Sequence, residues 1–157
     1  MDLPIRQVNR IYLDELLAKS RLSPRLRSPT PLHPDAYAGP QVLFNPIQPR
    51  SYMAPHRHAG EEVWIPVKGK IILCLLDDDG NFSERVPLSR EDTVYFLVPE
   101  HTYHTAFAVE RDSAFINVNQ GPFDPKVAKK FPVWAPREDE DSEVVKAYFD
   151  KLEATFR

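Results

Sequence analysis

Between Gln41 and Asn119 the sequence consists of short runs rich in valine, isoleucine, leucine, phenylalanine and tyrosine. Turn signals such as "VKGK", "DDDGN", "LSRED" and "VPEH" separate these runs. Many short apolar runs at this spacing predict an all-β sandwich or barrel. The stretch "KIILCLLDDDGNFSERVPL" predicts a hairpin that turns at Asp79 and Gly80, although its unbroken apolar start does not show which face is buried.

Two helices are predicted to flank this β-region. The segment "QVNRIYLDELLAKSRL" has apolar residues at helical spacing, namely Val8, Ile11, Tyr12 and Leu16. This helix should end before Ser23, where a proline-rich stretch begins. The last segment, "DSEVVKAYFDKLEATFR", has Asp141 or Ser142 as its cap, and one face carries Val145, Tyr148, Phe149, Leu152 and Phe156. This second helix is expected to pack on the β-region or on another subunit.

Prolines shape the part of the chain before the barrel. Eight of the 16 prolines lie between Pro24 and Pro55. Each fixes a backbone angle and removes a donor, so this stretch is expected to be an extended, ordered arm or lid. With 157 residues, the chain is expected to form one domain. Its expected parts are a helix and arm over residues 1–40, a barrel over 41–120, and a loop and helix over 121–157.

Charge and hydropathy exclude several classes of function. A net charge of −3 does not suit a nucleic-acid-binding protein, which needs a surplus of lysine and arginine. The local basic patch of Arg21, Arg25 and Arg27 is more typical of a solvated surface than of an anion site. No apolar run approaches the roughly 20 residues of a membrane span. The start "MDLPIRQVNR" lacks the pattern of a secretory signal, so a cytoplasmic protein is expected.

The single cysteine limits the chemistry of any metal site. Cys74 has no partner for a disulfide, and one thiol cannot form a thiolate cluster. It lies in the apolar run "IILCLL", where a buried, inert thiol is expected. Any metal site must therefore use nitrogen and oxygen ligands.

Two histidines in "PHRH" are candidates for such a site. Alternate side chains of a strand share a face, so His56 and His58 project together, with backbones roughly 7 Å apart. A short turn at residues 59–60 brings Glu62 opposite the pair as a third ligand. If that turn is one residue shorter, Glu61 takes the place of Glu62.

A fourth ligand is expected from "LVPEHTYHTAFA", where Pro99 stiffens a turn and His104 begins the strand that leaves it. Closure of the sheet can bring this strand to the other three ligands. Three imidazoles and one carboxylate suit one divalent transition-metal ion such as zinc, iron, manganese, nickel or cobalt. The alternative is a set of hydrogen-bonded polar residues on a sheet.

The spacing of these residues resembles the two motifs of the cupin superfamily. The first motif is matched by His56, His58, Glu62 and Gly69, and the second by Pro99 and His104. The resemblance implies a cupin (jelly-roll-like) barrel with N-terminal and C-terminal flanking helices. The chain departs from the motifs at Arg50 and His101, where cupins have glycine, and at Ala108, where they have asparagine. Pro66 within a predicted strand favours a sheet edge or a bulge.

A narrower resemblance covers nearly the whole chain up to Pro136. The segments "SPRLRSPTPLH", "PHRH", "LDDDGN", "VPEHTYHT", "GPFDP" and "WAP" resemble those of WbuC-type cupin fold metalloproteins. This resemblance implies a role in bacterial surface polysaccharide biosynthesis, with a sugar or nucleotide-sugar derivative as substrate.

The leading functional hypothesis is an isomerase or epimerase in which the ion acts as a Lewis acid. His101 or Tyr52 is expected to move a proton, the alternatives being a turn-capping role for His101 and core packing for Tyr52. An iron-dependent dioxygenase is the enzymatic alternative. A non-catalytic sugar- or metal-sensing module belongs to a second class, and a metal-free epimerase of the same fold is disfavoured by the ligand set.

Strand alternation makes further predictions about the two faces of the sheet. The inward positions include three small residues, Ala54, Ala106 and Ala108, which leave room for a small-molecule ligand. Phe107 and Val109 point outward, and such an apolar strip predicts a homodimer. His33, in the proline-rich arm, has no metal partner at a useful spacing and is left without a role.

Overall fold

The structure, a computed structural model, describes residues 7–156. Within this range the strands are β1 (Thr30–Pro31), β2 (Pro40–Ile47), β3 (Glu62–Lys68), β4 (Ile71–Leu76), β5 (Phe82–Leu88), β6 (Phe96–Val98), β7 (Tyr103–Ala108) and β8 (Ser113–Gln120). Helix α1 (Arg10–Leu22) precedes them and helix α2 (Ser142–Ala154) follows them. The predicted all-β fold with two flanking helices is confirmed.

The strands form two antiparallel sheets that bury a shared core. One sheet has the order β1-β2-β8-β3-β6 and the other β5-β4-β7. The core consists of Ile47, Trp64, Ile71, Leu73, Leu75, Val86, Leu88, Val98, Ala106, Ala108 and Phe115. Trp64 and Phe115 stack with their ring centroids 4.3 Å apart. Because these residues come from both sheets, they fix the sheets face to face, and with them the side chains near the starts of β3 and β7.

The β4–β5 hairpin turns where the sequence predicted. Gly80 has a φ of +84°, which a residue without a Cβ adopts without strain. The Asp77 carboxylate accepts hydrogen bonds from the backbone N–H groups of Asp79 (3.0 Å) and Asn81 (2.8 Å). Strand β4 is apolar throughout because it is buried on both faces. Alternate residues join the core between the sheets, while Ile72 and Cys74 lie in a second cluster under α2.

Helix α1 covers the outer face of the five-stranded sheet. The Asn9 side chain caps it by accepting a hydrogen bond from the Tyr12 N–H at 2.9 Å. Leu16 and Leu17 are buried against Phe44 of β2. Ile11, which the helical pattern placed on the apolar face, is 73% exposed. The helix ends at Leu22, as predicted, because a residue before a proline disfavours helical geometry.

Helix α2 covers the outer face of the three-stranded sheet. Asp141 is its cap and accepts hydrogen bonds from the N–H groups of Glu143 (2.9 Å) and Val144 (3.4 Å). Its buried residues, Phe149 and Leu152, pack in the same cluster as Ile72, Cys74 and Phe107. The outward strip from which a homodimer was predicted therefore meets a helix of the same chain at Phe107. Val109, just after β7, is 43% exposed.

The proline-rich stretch forms no helix, as its composition predicted. Apart from the strands β1 and β2 it is irregular, and His33 is held in it by a hydrogen bond between Nδ1 and the Val42 carbonyl (2.9 Å). Pro66 lies in β3 beyond the pairing with β6, which ends at Trp64, and the pairing with β8 shifts register between Pro66 and Lys68. The predicted bulge is thus present, since proline has no N–H to donate there.

Among residues 7–156, neither helix is long and apolar enough to cross a membrane. The expectation about export rests largely on residues 1–6, which lie outside the described range.

Candidate metal centre

Four side chains from three parts of the chain converge at one end of the sheets. They belong to His56, His58, Glu62 and His104, and one ligand atom of each lies within 4.8 Å of the others. Glu62 is the first residue of β3, and His104 is the second residue of β7. The backbones of His56 and His104 form a bridge, with N–H···O distances of 3.0 and 2.9 Å in the two directions. This bridge brings the segment before β3 alongside β7, which the sequence alone did not show.

Each of the three imidazoles is oriented by a backbone carbonyl. His56 Nδ1 lies 2.9 Å from the Ala54 oxygen, and His104 Nδ1 lies 3.0 Å from the Thr102 oxygen. His58 Nδ1 contacts the Ala128 oxygen in the same way. A carbonyl only accepts, so each Nδ1 carries a proton and each neutral ring has its lone pair on Nε2. This is the arrangement of metal-binding histidines, whose second nitrogen is held by a hydrogen bond.

The atoms that face one another at the centre lack the partners that buried polar atoms require. His58 Nε2, His104 Nε2 and Glu62 Oε2 are buried, and with each imidazole protonated on Nδ1 no group in residues 7–156 donates a hydrogen bond to them. His104 Nε2 and Glu62 Oε2 are only 2.8 Å apart, and His58 Nε2 is 3.7 Å from the same oxygen. Since both histidine nitrogens carry lone pairs, a cation shared by these atoms would satisfy them all.

A pair of asparagines holds the carboxylate of Glu62. Asn117 donates a hydrogen bond from Nδ2 to Glu62 Oε1. Asn45 Nδ2 in turn donates to Asn117 Oδ1 at 2.7 Å. Glu62 Oε1 is thus fixed, and Oε2 is directed at the histidines. Sequence reasoning missed Asn45 and Asn117. The signal that could have found Asn117 is the alternating "INVNQ" of β8, which places Asn117 and Asn119 on one face of an apolar strand.

The electrostatics favour the protonation states that bind a metal. Burial lowers the pKa of His56 well below its usual value, and the positive charge of Lys129 lowers it further. Burial also lowers the pKa of His58. Burial alone would raise the pKa of Glu62, but the close approach of His104 and the other histidines lowers it overall. At neutral pH these two imidazoles are neutral and the carboxylate is ionised, as ligation requires.

The four residues fit a divalent transition-metal ion. Nitrogen and oxygen ligands bind such ions at about 2.0–2.2 Å, and small side-chain movements would bring ligand atoms within 4.8 Å of one another onto one centre. Three imidazoles with one carboxylate suit several such ions and do not select one. A potential metal site of His56, His58, Glu62 and His104 is therefore present. The turn leaves the other candidate carboxylate, Glu61, exposed.

A pocket of about 770 Å³ opens beside the centre. Its walls come from the proline-rich arm, the start of β2, the turn before β3, the end of β8 and the loop after it. His58 is the ligand that lines it, together with His33 of the arm, Asn119 of β8 and Lys129 of the following loop. Pockets of this volume hold small metabolites. The pocket is bounded partly by the arm. None of Ala54, Ala106 and Ala108, from which room for a ligand was predicted, lines it, because all three are packed in apolar clusters.

The two residues expected to move a proton lie elsewhere. Tyr52 packs against Phe149 of α2, and its hydroxyl donates to the Pro136 carbonyl at 2.7 Å. Ala54 lies in the same cluster. Strand alternation from His56 would direct both side chains toward the cavity, but residues 51–55 form no regular strand.

His101 is exposed in the turn before β7 and is not among the residues that line the pocket. Its backbone N–H donates to the His58 carbonyl at 2.9 Å, so the turn supports the centre through the main chain. Its φ of +58° is the left-handed conformation for which cupins have glycine at this position. Arg50 has a φ of +69° at the other such position.

Two further residue groups have structural positions. Cys74 is buried, which raises the pKa of its thiol to about 12 and agrees with the inert thiol predicted. The expectation of a solvated basic patch is wrong for Arg27, which is buried, donates to the Tyr52 carbonyl at 2.7 Å and pairs with Glu138. Arg25 pairs with the same carboxylate, and Arg21 pairs with Asp112.

Residues 8–88 of the chain match a protein family described as "Domain of unknown function (DUF6016)". The chain belongs to this family. No curated protein matches the DUF6016 chain closely enough to be identified as a relative.

Solved structures similar to the DUF6016 chain share its fold. CapF with the inhibitor 3-isopropenyl-tropolone is 22% identical with a TM-score of 0.56, over 67% of this chain and 31% of that one. KdgF from Halomonas sp. is 20% identical with a TM-score of 0.52, over 67% and 87%. Oxalate oxidase in complex with the substrate analogue glycolate is 18% identical with a TM-score of 0.50, over 63% and 55%. The DUF6016 chain thus spans about half of the oxalate oxidase chain and a third of the CapF chain. Its fold is the cupin fold that the two motifs predicted.

Proposed function

We propose that this DUF6016 protein binds one divalent transition-metal ion through His56, His58, Glu62 and His104 and acts there on a small, oxygen-rich molecule. The observation that carries the proposal is the set of buried, unpartnered atoms at the centre, as far as residues 7–156 show. Buried polar atoms without partners are costly, so their convergence from three parts of the chain calls for a cation. Their position beside a 770 Å³ pocket supports a role in ligand binding.

The ion would be zinc, iron, manganese, nickel or cobalt, since the ligand set suits all five. When bound, it supplies Lewis-acid chemistry to a carbonyl or to two adjacent oxygens of a ligand. The protein's own groups do the rest: the carbonyls of Ala54, Thr102 and Ala128 hold the imidazoles, and Asn117 holds the carboxylate. These contacts set the direction from which a ligand approaches.

A carbohydrate derivative is the substrate class we propose. Glycolate, bound in the oxalate oxidase structure, and the tropolone of the CapF structure both carry neighbouring oxygens, which supports an oxygen-rich ligand in this fold. The resemblance of the sequence to WbuC-type proteins supports a sugar or nucleotide sugar of bacterial surface polysaccharide biosynthesis. An isomerase or epimerase reaction fits this substrate class, with a proton donor other than Tyr52.

A sensing module is the second function that an observation favours. The proline-rich arm forms part of the pocket wall through Pro31 and His33. A bound sugar would therefore touch both the arm and the barrel, and could change the position of the arm without being converted.

We also propose that the whole chain works as one cupin domain. Helices α1 and α2 bury their apolar faces on opposite outer sides of the two sheets, which supports a single unit. A homodimer is not supported by the strip at Phe107, because α2 covers that residue.

Metal analysis followed by an exchange assay tests the function. The purified protein, loaded with each of the five ions in turn, is expected to retain one ion per chain, and a His104→Ala variant is expected to lose it. A panel of sugars and nucleotide sugars is then incubated in deuterium oxide. Deuterium entering a substrate with the loaded protein but not with the variant supports an isomerase or epimerase. Tight binding without exchange favours the sensor, and a protein that retains none of the ions contradicts the proposal.

A further inference from the structure

Lys129 lies on the wall of the pocket beside the candidate metal centre. The loop that carries it runs against the histidine segment, where Arg57 and Lys130 exchange backbone hydrogen bonds of 2.9 Å in both directions. The Ala128 carbonyl, next to Lys129 in the chain, accepts the hydrogen bond from His58 Nδ1. Lys129 is therefore held close to the centre by two contacts of its loop.

The positive charge of Lys129 affects the ionisable groups of the candidate metal centre. Burial lowers the pKa of its amino group, and the negative charge of Glu62 acts in the opposite direction. The same positive charge contributes to the lowered pKa values of His56 and His58. By its accessible surface, Lys129 is nevertheless exposed, as is its neighbour Lys130. A cation that protein atoms surround closely but that solvent still reaches is what the wall of a deep pocket provides.

Three acidic residues also line the pocket, all of them at exposed positions. Asp35 and Asp124 lie on exposed turns, where each accepts a hydrogen bond from a backbone N–H two residues later, at 2.8 and 2.9 Å. Glu61 is exposed. Glu62 is the buried carboxylate, and a divalent ion would outweigh its charge. Lys129 is the one lysine or arginine among the described residues that line the pocket, so it is the side chain with which an anionic group of a ligand would pair.

The same pocket also offers acceptors for hydroxyl groups. Asn119 lines it, and the Oδ1 atom of this residue is buried without a hydrogen-bond partner in the described chain. His33 lines it as well, and its Nδ1 is held by the Val42 carbonyl, which leaves the lone pair on Nε2. A ligand that satisfies these groups needs hydroxyl donors in addition to an anionic group.

We infer that the ligand of this pocket is a hydroxylated acid, with its carboxylate or phosphate bound by Lys129 and its hydroxyl groups donating to Asn119 and His33. This inference rests on the proposed function, because it places the ligand beside the metal centre. It narrows the substrate class from an oxygen-rich molecule to an anionic one. Neither motif that predicted the centre includes Lys129, so metal binding and anion recognition can be tested separately.

Three probes that share one sugar ring test the inference: glucuronate, glucose 1-phosphate and glucose. Binding to the full-length, metal-loaded protein is measured by isothermal titration calorimetry, and metal content is measured in the same samples. At least one of the two anions is expected to bind roughly ten- to a hundredfold more tightly than glucose, the range of a charge-assisted hydrogen bond. Tighter binding of glucuronate indicates a carboxylate ligand, and tighter binding of glucose 1-phosphate indicates a phosphate ligand.

Variants assign the effect to one side chain. Lys129→Met is expected to remove the preference for the anion and to leave one ion per chain, whereas Lys129→Arg is expected to retain most of the preference. Lys130→Met is the matched control, since this neighbouring lysine is exposed like Lys129 but does not line the pocket. Asn119→Leu is expected to weaken the binding of every probe that binds to the unmodified protein.

The proposed function and this inference fail in different ways. If the protein retains no ion, the proposed function is wrong, and the anion preference is then measured on the metal-free protein, where Lys129 still acts. The inference is overturned if neither anion binds more tightly than glucose, or if Lys129→Met and Lys130→Met have equal effects. It is also overturned if neither anion binds at all while one ion per chain is retained.

Discussion

The Nε2 atom of His104 and the Oε2 atom of Glu62 lie 2.8 Å apart, both buried. His104 Nδ1 donates a hydrogen bond to the Thr102 carbonyl, so a neutral His104 imidazole presents the lone pair of Nε2 to the carboxylate oxygen. Such a contact between two acceptors is unfavourable until a cation joins them. Much of the stability of this end of the fold is therefore expected to depend on a bound ion.

Metal loading is predicted to raise the unfolding temperature. At a free ion concentration about 100 times Kd, binding stabilises the folded state by about 2.7 kcal/mol, which corresponds to roughly 5–10 °C for a chain of this length. Differential scanning calorimetry with each of the five ions, and again after chelation, measures the shift. The Glu62→Gln variant is expected to lose the shift, while Glu61→Gln retains it because Glu61 is exposed. An unchanged unfolding temperature with all five ions would contradict the metal centre.

The asparagine pair behind Glu62 is predicted to tune metal affinity. Replacing Asn117 by leucine removes the hydrogen bond that fixes Glu62 Oε1, and such supporting contacts contribute 10- to 100-fold to affinity. Competition with a coloured chelator is expected to show a loss in this range, with the stoichiometry of one ion per chain kept. Asn45→Leu, one step further from the carboxylate, is expected to have a smaller effect. Equal affinity of Asn117→Leu and the unmodified protein would show that the carboxylate is oriented without this contact.

The ligand set could be predicted from the sequence because its signals are local. The spacing of His56, His58 and Glu62 depends on alternation and on one short turn, and the structure brings their side chains together with that of His104. Alternation failed upstream, at Tyr52, because residues 51–55 pair with no strand and Pro55 has no N–H to continue a ladder. The alternation of side chains in a strand can be extended to neighbouring residues only where the backbone hydrogen bonding between strands is continuous.

The rest of the site depends on contacts between distant segments. Asn117 reaches Glu62 because β8 pairs with β3, a pairing that does not follow from the composition of either strand. Lys129 reaches the pocket because its loop runs back along the histidine segment. Arg50 and His101 stand at positions where the cupin motifs have glycine. Both retain the left-handed conformation, and Arg50 is held there by ion pairs of 2.8 Å with Asp150 and Glu153.

Gly69, which closes the first motif, is predicted not to tolerate a side chain. Its φ is +67°, and a Cβ would lie 2.4 Å from Ser113 Oγ and 3.0 Å from Ser113 Cα. The Ser113 hydroxyl donates to the Glu110 carbonyl at 2.7 Å, so it cannot move without losing that bond. Gly69→Ala is therefore expected to destabilise the protein by about 2 kcal/mol or more.

Urea denaturation measures this effect against a second glycine. Gly39→Ala is the matched control, since a Cβ at Gly39 would meet no atom of the described chain within 4 Å. The control is expected to change the free energy of unfolding by less than about 0.5 kcal/mol. A loss of stability that is the same in both variants would indicate that the turn at Gly69 rearranges freely.

Replacement of His101 separates a structural role in its turn from a role in proton transfer. A residue with a Cβ in the left-handed region costs roughly 1–2 kcal/mol, and glycine avoids this cost but loses more entropy on folding. His101→Gly is therefore expected to stabilise the protein by about 0.5–1 kcal/mol, whereas His101→Ala, which keeps the Cβ, brings no such gain. Both variants retain the backbone hydrogen bond to the His58 carbonyl, so metal content should not change.

The same two variants report on catalysis through the deuterium exchange assay. A general acid or base contributes about 10²- to 10⁴-fold to a rate, so both variants would lose most of the exchange if the His101 imidazole moved the proton. Because this side chain is exposed and does not line the pocket, both are expected to exchange at the unmodified rate. A loss of exchange in both variants, with metal content and glucuronate affinity unchanged, would show that the His101 imidazole moves the proton. The turn that carries His101 would then have to close over the pocket.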